Sequence, residues 1–291
     1  MARLFRRREG ALPYLLLAPG IAWLLVFFAV PLYYLAELSL KEGSVDTGYR
    51  MTWHFSVFTD AISTYSEQFA RSFEYAGAAT LLSVLIGYPL AYAIAFRGGR
   101  WRNALLLAVI LPFFTTYLVR TLSWETILDD DGWVVHTLQS VGLVGQHGRI
   151  LATSTAVIAG ITYNFLPFMI LPLYASLERI DKRLHEAAYD LYGKRRDVFL
   201  RVTLPLSVPG IVAGVLLTFI PAAGDFVNAQ LLGTPRQSMI GNVIQSRYLE
   251  VSDYPTAAAL SFLLMALILV LVLAYARFAG TEQLTGAEAK V

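Results

Sequence analysis

The chain has 291 residues, 56% hydrophobic and only 15% charged, with a net charge of +2 and no cysteine. Soluble domains carry roughly 25% charged residues, so this composition, with its mean hydropathy of +0.56, points to lipid as the solvent. A charge of +2 leaves no electrostatic footprint for nucleic acid, and the lack of cysteine excludes disulfides, thiolate metal sites and thiol catalysis. His54, His136, His147 and His185 are scattered singly, as loop or interface residues rather than a ligand set.

In chain order, Arg3, Arg6, Arg7 and Arg8 precede an apolar run over residues 11–40. The run is too long for the core of a cleaved signal peptide. It contains Pro19 and Pro31. Because a ~30 Å hydrocarbon core takes about 20 helical residues, it is read as an uncleaved, kinked or tilted first span. Residues 41–68, with Trp53, Phe55, Phe58 and Tyr65, suit an interfacial loop. Span two covers 69–96 and ends in a basic turn, 97–102; span three covers 103–127, with Pro112 placed to bend it. Asp129, Asp130 and Asp131 open a loop that reaches Gly148. Span four, 150–177, is expected to be interrupted at Pro167 and Pro172. A charged segment, 178–203, leads to span five, 204–221, where Pro205 falls in the first turn and its missing N–H costs little. A mixed segment, 222–253, precedes span six, 254–278, and a polar tail, 279–291. The reading is an all-α polytopic membrane protein with six transmembrane helices in one domain. Sixteen of the 23 Lys and Arg residues fall in the N-terminus, 97–102, 178–201 and the C-terminal segment, against six in 41–71, 128–149 and 225–250. The positive-inside rule places both termini and the charged segment in the cytoplasm.

That segment organises the rest. Leu184, Ala187, Ala188 and Leu191 recur at helical spacing on one face, and Glu186, Asp190 and Lys194 lie four apart on another, acid before base. From the residues alone this is either an amphipathic helix that docks on a partner or a basic loop held by anionic lipid. Polar groups inside spans are expensive and face a cavity or a neighbouring helix. Arg120 and Glu125 either pair locally or act in transport. Asn164, beside Tyr163, either bonds a neighbouring helix or lines a path. Asp225, just after Pro221, either attracts a cationic solute or satisfies backbone groups freed where a helix breaks. With Trp124 these are the candidate solute-path residues. Gly210 and Gly214 form a GxxxG, by default a packing motif within the chain. The run Met239-Ile240-Gly241-Asn242-Val243-Ile244 reads as a helix lying against the membrane surface. No GxxxxGK[ST] is present, so ATP hydrolysis by this chain is not expected.

Glu186-Ala187-Ala188, with Leu204-Pro205 downstream, resembles the EAA loop of permease subunits of ATP-binding-cassette (ABC) importers. Leu166-Pro167-Phe168-Met169-Ile170-Leu171-Pro172, Gly224-Asp225-Phe226 and Met239-Ile240-Gly241-Asn242 are similar to the spermidine/putrescine class of these permeases, the likeness being densest from 161 to 248. The family's loop has its glycine where this chain has Tyr192; here Gly193 follows one position later. The resemblance implies a type I importer permease fold and a coupling helix in which Glu186, Ala187, Ala188, Asp190, Leu191 and Gly193 meet a separate ATPase. It also implies two such ATPase subunits holding ATP and Mg, a second permease, similar or identical, and an extracytoplasmic solute-binding protein. No cofactor is implied for this chain itself. It puts the Met239 run at an outer gate. Two other readings stand beside it: a secondary transporter driven by an ion gradient, and a membrane scaffold recruiting a cytoplasmic protein.

Overall fold

A computed structural model describes residues 12–142, 145, 148–191 and 193–279. The arginines at 3, 6, 7 and 8, His147, Tyr192 and residues 280–291 of the expected tail lie outside them. Among the described residues five helices are long and apolar enough to cross a membrane, and a bent helix pair, Gly99–Phe114 with Tyr117–Leu128, has the length and composition of a sixth span or of a re-entrant loop. The contacts divide the chain into two compact units, residues 1–64 with 244–263 and residues 65–243 with 264–291.

In the first unit, α1 (Leu12–Leu24) and α2 (Val30–Ser39) are joined by a π-helical turn, Leu25–Ala29. In that turn the Val30 N–H donates to the Leu25 carbonyl, five residues back. Pro31 follows at once. A proline ring has no N–H and clashes with the carbonyl four residues back, and the wider π turn absorbs the extra residue. Leu16, Leu17, Trp23, Phe27 and Phe28 all face outward, as lipid-facing side chains do. The expected interfacial loop is more ordered than its composition suggests. β1 (Lys41–Ser44) pairs antiparallel with β2 (Gly48–Met51), Lys41 opposite Met51. The Tyr49 hydroxyl donates to the Ser252 carbonyl at 2.9 Å, and the Tyr49 and Tyr248 rings both contact Tyr254. Helix α3 (Ser56–Arg97) begins well before the expected 69, and Tyr65 (φ −113°, ψ 18°) marks a kink within it.

In the second unit, α4 (Arg102–Ile110), a 3₁₀ turn at Leu111–Phe114 and α5 (Tyr117–Leu128) replace a straight third span. The pair bends by 95°. Pro112 sits in the turn, and the Thr116 side chain caps α5 by accepting from the Val119 N–H. After α6 (Trp133–Ser140), α7 (Ser154–Glu178) runs unbroken through Pro167 and Pro172, which corrects the expected interruption. Both prolines lie in a helix buried along most of its length, where neighbouring groups hold the local geometry. Next come α8 (Lys182–Asp190), α9 (Arg195–Val198) and α10 (Leu204–Ala223), the last two linked by a second π turn, Phe199–Thr203. Its Leu204 N–H donates to the Phe199 carbonyl, and Pro205 again follows. Helical geometry thus starts at Arg195, not at Leu204.

Lipid supplies no hydrophobic drive between helices, so close packing and polar contacts hold them. α7 and α10 meet at the two glycines of the GxxxG. A Cβ on Gly210 would lie 2.5 Å from Ser176 Cβ, and one on Gly214 would lie 2.6 Å from Met169 Sδ. Around this seam, Tyr75, Ile161, Phe165, Ala222 and Leu232 form one buried cluster, and Tyr88, Met169, Ile170, Leu173 and Leu177 another. α11 (Val227–Leu232), a 3₁₀ turn at Pro235–Gln237, α12 (Ile240–Leu249) and α13 (Tyr254–Ala279) are the last elements among the described residues. Met239 and Ile240 are fully buried, and the Ile240 N–H donates to Ser72 Oγ at 2.8 Å. The run does not lie flat on a surface, as its apolar composition had suggested.

Candidate functional site

The charged segment folds as α8, and two groups define its ends. Asp181 accepts from the Arg183 N–H at 2.9 Å as the N-cap. At the other end the Leu191 N–H donates to the Ala187 carbonyl, and the Gly193 N–H donates to the Ala188 carbonyl at 3.0 Å. A Cβ at 193 would sit 2.5 Å from that same carbonyl oxygen, so the shifted glycine serves the closing turn one position late. Lys194 precedes α9 as its N-cap, where its N–H donates to Asp197 Oδ2 at 3.1 Å. The expected ladder Glu186, Asp190, Lys194 therefore does not continue along one helix.

The helix is tied to the membrane part through His185. His185 Nε2 lies 3.1 Å from Thr203 Oγ1, and its ring packs 5.1 Å from that of Phe96. Leu184, Glu186, Ala187, Asp190 and Leu191 are exposed, Leu191 by 83%. Ala188 and Gly193 are partly covered. On the Leu184 side, Ser176, Arg179, Leu206 and Gly210 help to line a groove of about 590 Å³. An apolar edge left open beside acidic and basic groups is a docking geometry.

The second candidate set converges at the break after α10. Asp225, 6% exposed, accepts through Oδ2 from the Tyr117 hydroxyl at 2.5 Å and from Asn228 Nδ2 at 2.6 Å. Its Oδ1 accepts from the Asn228 N–H at 3.1 Å, which starts α11. Asn228 Nδ2 also donates to the Tyr117 oxygen at 2.5 Å, and Asn228 Oδ1 accepts from Asn164 Nδ2 at 3.1 Å. Asn164 donates in addition to Thr121 Oγ1 at 3.2 Å. The bend between α4 and α5 thus brings Tyr117 and Thr121 against α7 and α11 in one buried polar network. The Trp124 and Tyr163 rings lie edge-on nearby in sequence, 5.3 Å apart. Asn242 Nδ2 donates to the Phe226 carbonyl, which ties the Met239 run to the same break.

A family model described as the binding-protein-dependent transport system inner membrane component matches residues 78–280. The chain belongs to that family. It is 37% identical over 257 residues to the spermidine/putrescine transport system permease protein PotB of Haemophilus influenzae, covering 88% of this chain and 90% of that one. To PotB of Escherichia coli it is 34% identical over 258 residues, 88% of this chain and 94% of the relative. Its fold is similar to that of a bacterial alginate ABC transporter solved with an alginate pentasaccharide-bound periplasmic protein. The TM-score is 0.70 at 23% identity, covering 99% of this chain and 100% of that chain. As a member of the binding-protein-dependent inner membrane components, it is a multi-pass protein of a bacterial inner membrane with the type I importer permease fold.

For this inner membrane component the expected Arg120–Glu125 pair does not form: neither residue makes an ion pair among the described residues. Arg120 instead lays its guanidinium over the Phe113 and Tyr117 rings, at 4.6 and 5.6 Å. Five-residue spacing turns the two side chains away from each other on α5. Sequence reasoning found Asp225 and Asn164 but missed Tyr117, Thr121 and Asn228, which join them. A signal existed for all three: Asp225 and Asn228 are three apart, as in a cap, and Tyr117 and Thr121 are four apart on one helix face.

Proposed function

We propose that this chain is the permease subunit of an ATP-driven importer of polyamines such as spermidine or putrescine, with ATP and Mg held by two separate ATPase subunits. The substrate class rests on one observation, the 34–37% identity over 88% of the chain to permeases named for spermidine and putrescine. In this reading Glu186, Ala187, Ala188, Asp190, Leu191 and Gly193 form the contact with the ATPase. A second permease, similar or identical, and an extracytoplasmic solute-binding protein complete the assembly. Asp225, Asn164, Tyr163, Trp124 and Glu125 border the solute path, where aromatic faces and a carboxylate suit ammonium groups. Family membership weighs against the ion-driven transporter and the passive scaffold.

The test compares detergent-solubilised wild type with Glu186→Lys and Ala187→Glu for a co-purifying ATPase and for ATP-dependent uptake of labelled spermidine. Both substitutions sit on exposed positions of α8, so membrane insertion should persist while ATPase retention and uptake fall at least about tenfold, the loss of roughly 1.4 kcal/mol of docking energy. Uptake that survives ATP depletion and collapses with an uncoupler would instead establish the ion-driven reading.

A further inference from the structure

On the His185 side of α8 lies a second cavity of about 270 Å³. At about 30 Å³ per water, this is room for roughly nine waters, ample for a phosphodiester and part of its hydration. Its walls are held by hydrogen bonds and ring contacts. Thr203 Oγ1 donates to the Val198 carbonyl at 3.5 Å and shares a hydrogen bond with His185 Nε2 at 3.1 Å. The rings of Tyr92, Phe96, Phe199 and His185 brace one another at 4.8 to 6.0 Å. At its mouth stand Arg97, the last residue of α3, and Arg195, the first of α9, with Tyr189 of α8 between the helical walls.

No carboxylate lines this cavity. Neither Arg97 nor Arg195 has an ion pair among the described residues. Asp197, two residues after Arg195, is already engaged by the Lys194 N–H and lies 3.9 Å from Arg201. Two guanidinium groups, an imidazole and tyrosine hydroxyls converging without an anion make an anion-binding constellation, and guanidinium matches phosphate oxygens in geometry as well as charge. The cavity lies at the end of a helix long and apolar enough to cross a membrane. Arg97 closes a membrane-crossing helix, and four residues on Trp101, 62% exposed, lies under the Arg100 guanidinium in the manner of an interfacial aromatic.

We propose that this cavity is a phosphate-group site, filled by the headgroup of an anionic phospholipid or by free phosphate, which fastens the root of α8 to the start of α10. Because its walls come from α3, α8 and the π turn before α10, an occupant would set how firmly α8 is held against the spans. The site stands independently of what the chain transports.

The full-length protein, delipidated in detergent with whatever subunits accompany it, would be titrated with short-chain phosphatidylglycerol or phosphatidylcholine under native mass spectrometry. Inorganic phosphate would be titrated in parallel against the thermal unfolding midpoint. At about fivefold in affinity per arginine near an anionic headgroup, wild type should prefer phosphatidylglycerol at least about fivefold. Arg97→Gln/Arg195→Gln should abolish that preference, whereas Arg100→Gln/Arg196→Gln, outside the cavity, should keep it. A midpoint raised by inorganic phosphate in wild type and not in the cavity variant would identify free phosphate as a source of the same group. Equal lipid preference in the two double variants, or no preference in wild type together with a midpoint that inorganic phosphate does not raise, would overturn the site. So would a cavity variant that keeps its lipid but loses a co-purifying subunit, since the arginines would then serve that subunit's acidic side chains.

Discussion

At the scale of single residues, Asn228 has more to do than Asp225. It is fully buried, donates to Asp225 and Tyr117, and accepts from Asn164. Asn228→Ala would remove one side-chain donor from Asp225 and one from the Tyr117 oxygen and would leave Asn164 an acceptor short, and each buried polar group left unsatisfied costs about 1–3 kcal/mol, more for a charge. The expected destabilisation is about 2–4 kcal/mol, read as a lowered thermal unfolding midpoint in detergent. Asp225→Asn keeps the shape and removes the charge. If the carboxylate meets a cationic solute, this variant should lose uptake about tenfold or more, one ammonium contact of roughly 1.4 kcal/mol or greater, on top of a midpoint lowered by the roughly 1–3 kcal/mol of one buried group left unsatisfied where the new amide faces a donor of Asn228. Wild-type uptake by Asp225→Asn would leave Asp225 as only the cap of α11. Asp225 and Asn164 stood out in the sequence because ionisable and amide groups are costly among apolar neighbours. Tyr117 and Thr121 did not, since tyrosine and threonine sit in apolar helices without penalty, and only the fold reveals that their hydroxyls are spoken for.

Among elements, the prolines show where sequence reasoning reaches its limit. Pro112 was expected to bend the third span, and the chain turns by 95° at that place. Pro167 and Pro172 were expected to interrupt the fourth, yet α7 continues through both. The same ring lies after a π turn at Pro31 and Pro205. A proline fixes only the loss of one N–H and a clash with one carbonyl; whether the helix breaks, widens or runs on depends on packing that no local pattern records. The glycine pair was legible, because close approach is a local demand. Gly210→Ala would place a Cβ 2.5 Å from Ser176 Cβ and 2.8 Å from the Pro172 carbonyl oxygen, forcing α7 and α10 apart at about 1–3 kcal/mol. Gly77→Ala, in α3 with nothing within 4 Å, should instead be neutral or gain about 0.5–1 kcal/mol of helix preference. Thermal midpoints of the two variants should therefore fall on opposite sides of wild type or nearly so; equal midpoints would refute the close-packing account of the α7–α10 seam.

For the molecule as a whole, the bend between Gly99–Phe114 and Tyr117–Leu128 decides more than the shape of one span. If that pair crosses the membrane, the chain crosses six times, and α8 lies on the same side as the arginines at 97, 100 and 102. If it is a re-entrant loop that returns to its own side, every later element is inverted and α8 lies outside. Seven basic residues, Arg179, Lys182, Arg183, Lys194, Arg195, Arg196 and Arg201, would then be exported, against the positive-inside rule. A crossing is therefore expected, and with it a cytoplasmic α8 where an ATPase has access. The chain's lack of cysteine makes the test clean, since any thiol introduced is the only one. Asp46→Cys in the hairpin turn, Asp131→Cys before α6 and Lys194→Cys after α8 all replace exposed side chains. With a membrane-impermeant maleimide on intact spheroplasts, Asp46→Cys and Asp131→Cys should label at once, and Lys194→Cys only after permeabilisation. Should Asp131→Cys stay protected while Lys194→Cys labels from outside, the bent pair does not cross, and the coupling role of Glu186 and its neighbours falls with it.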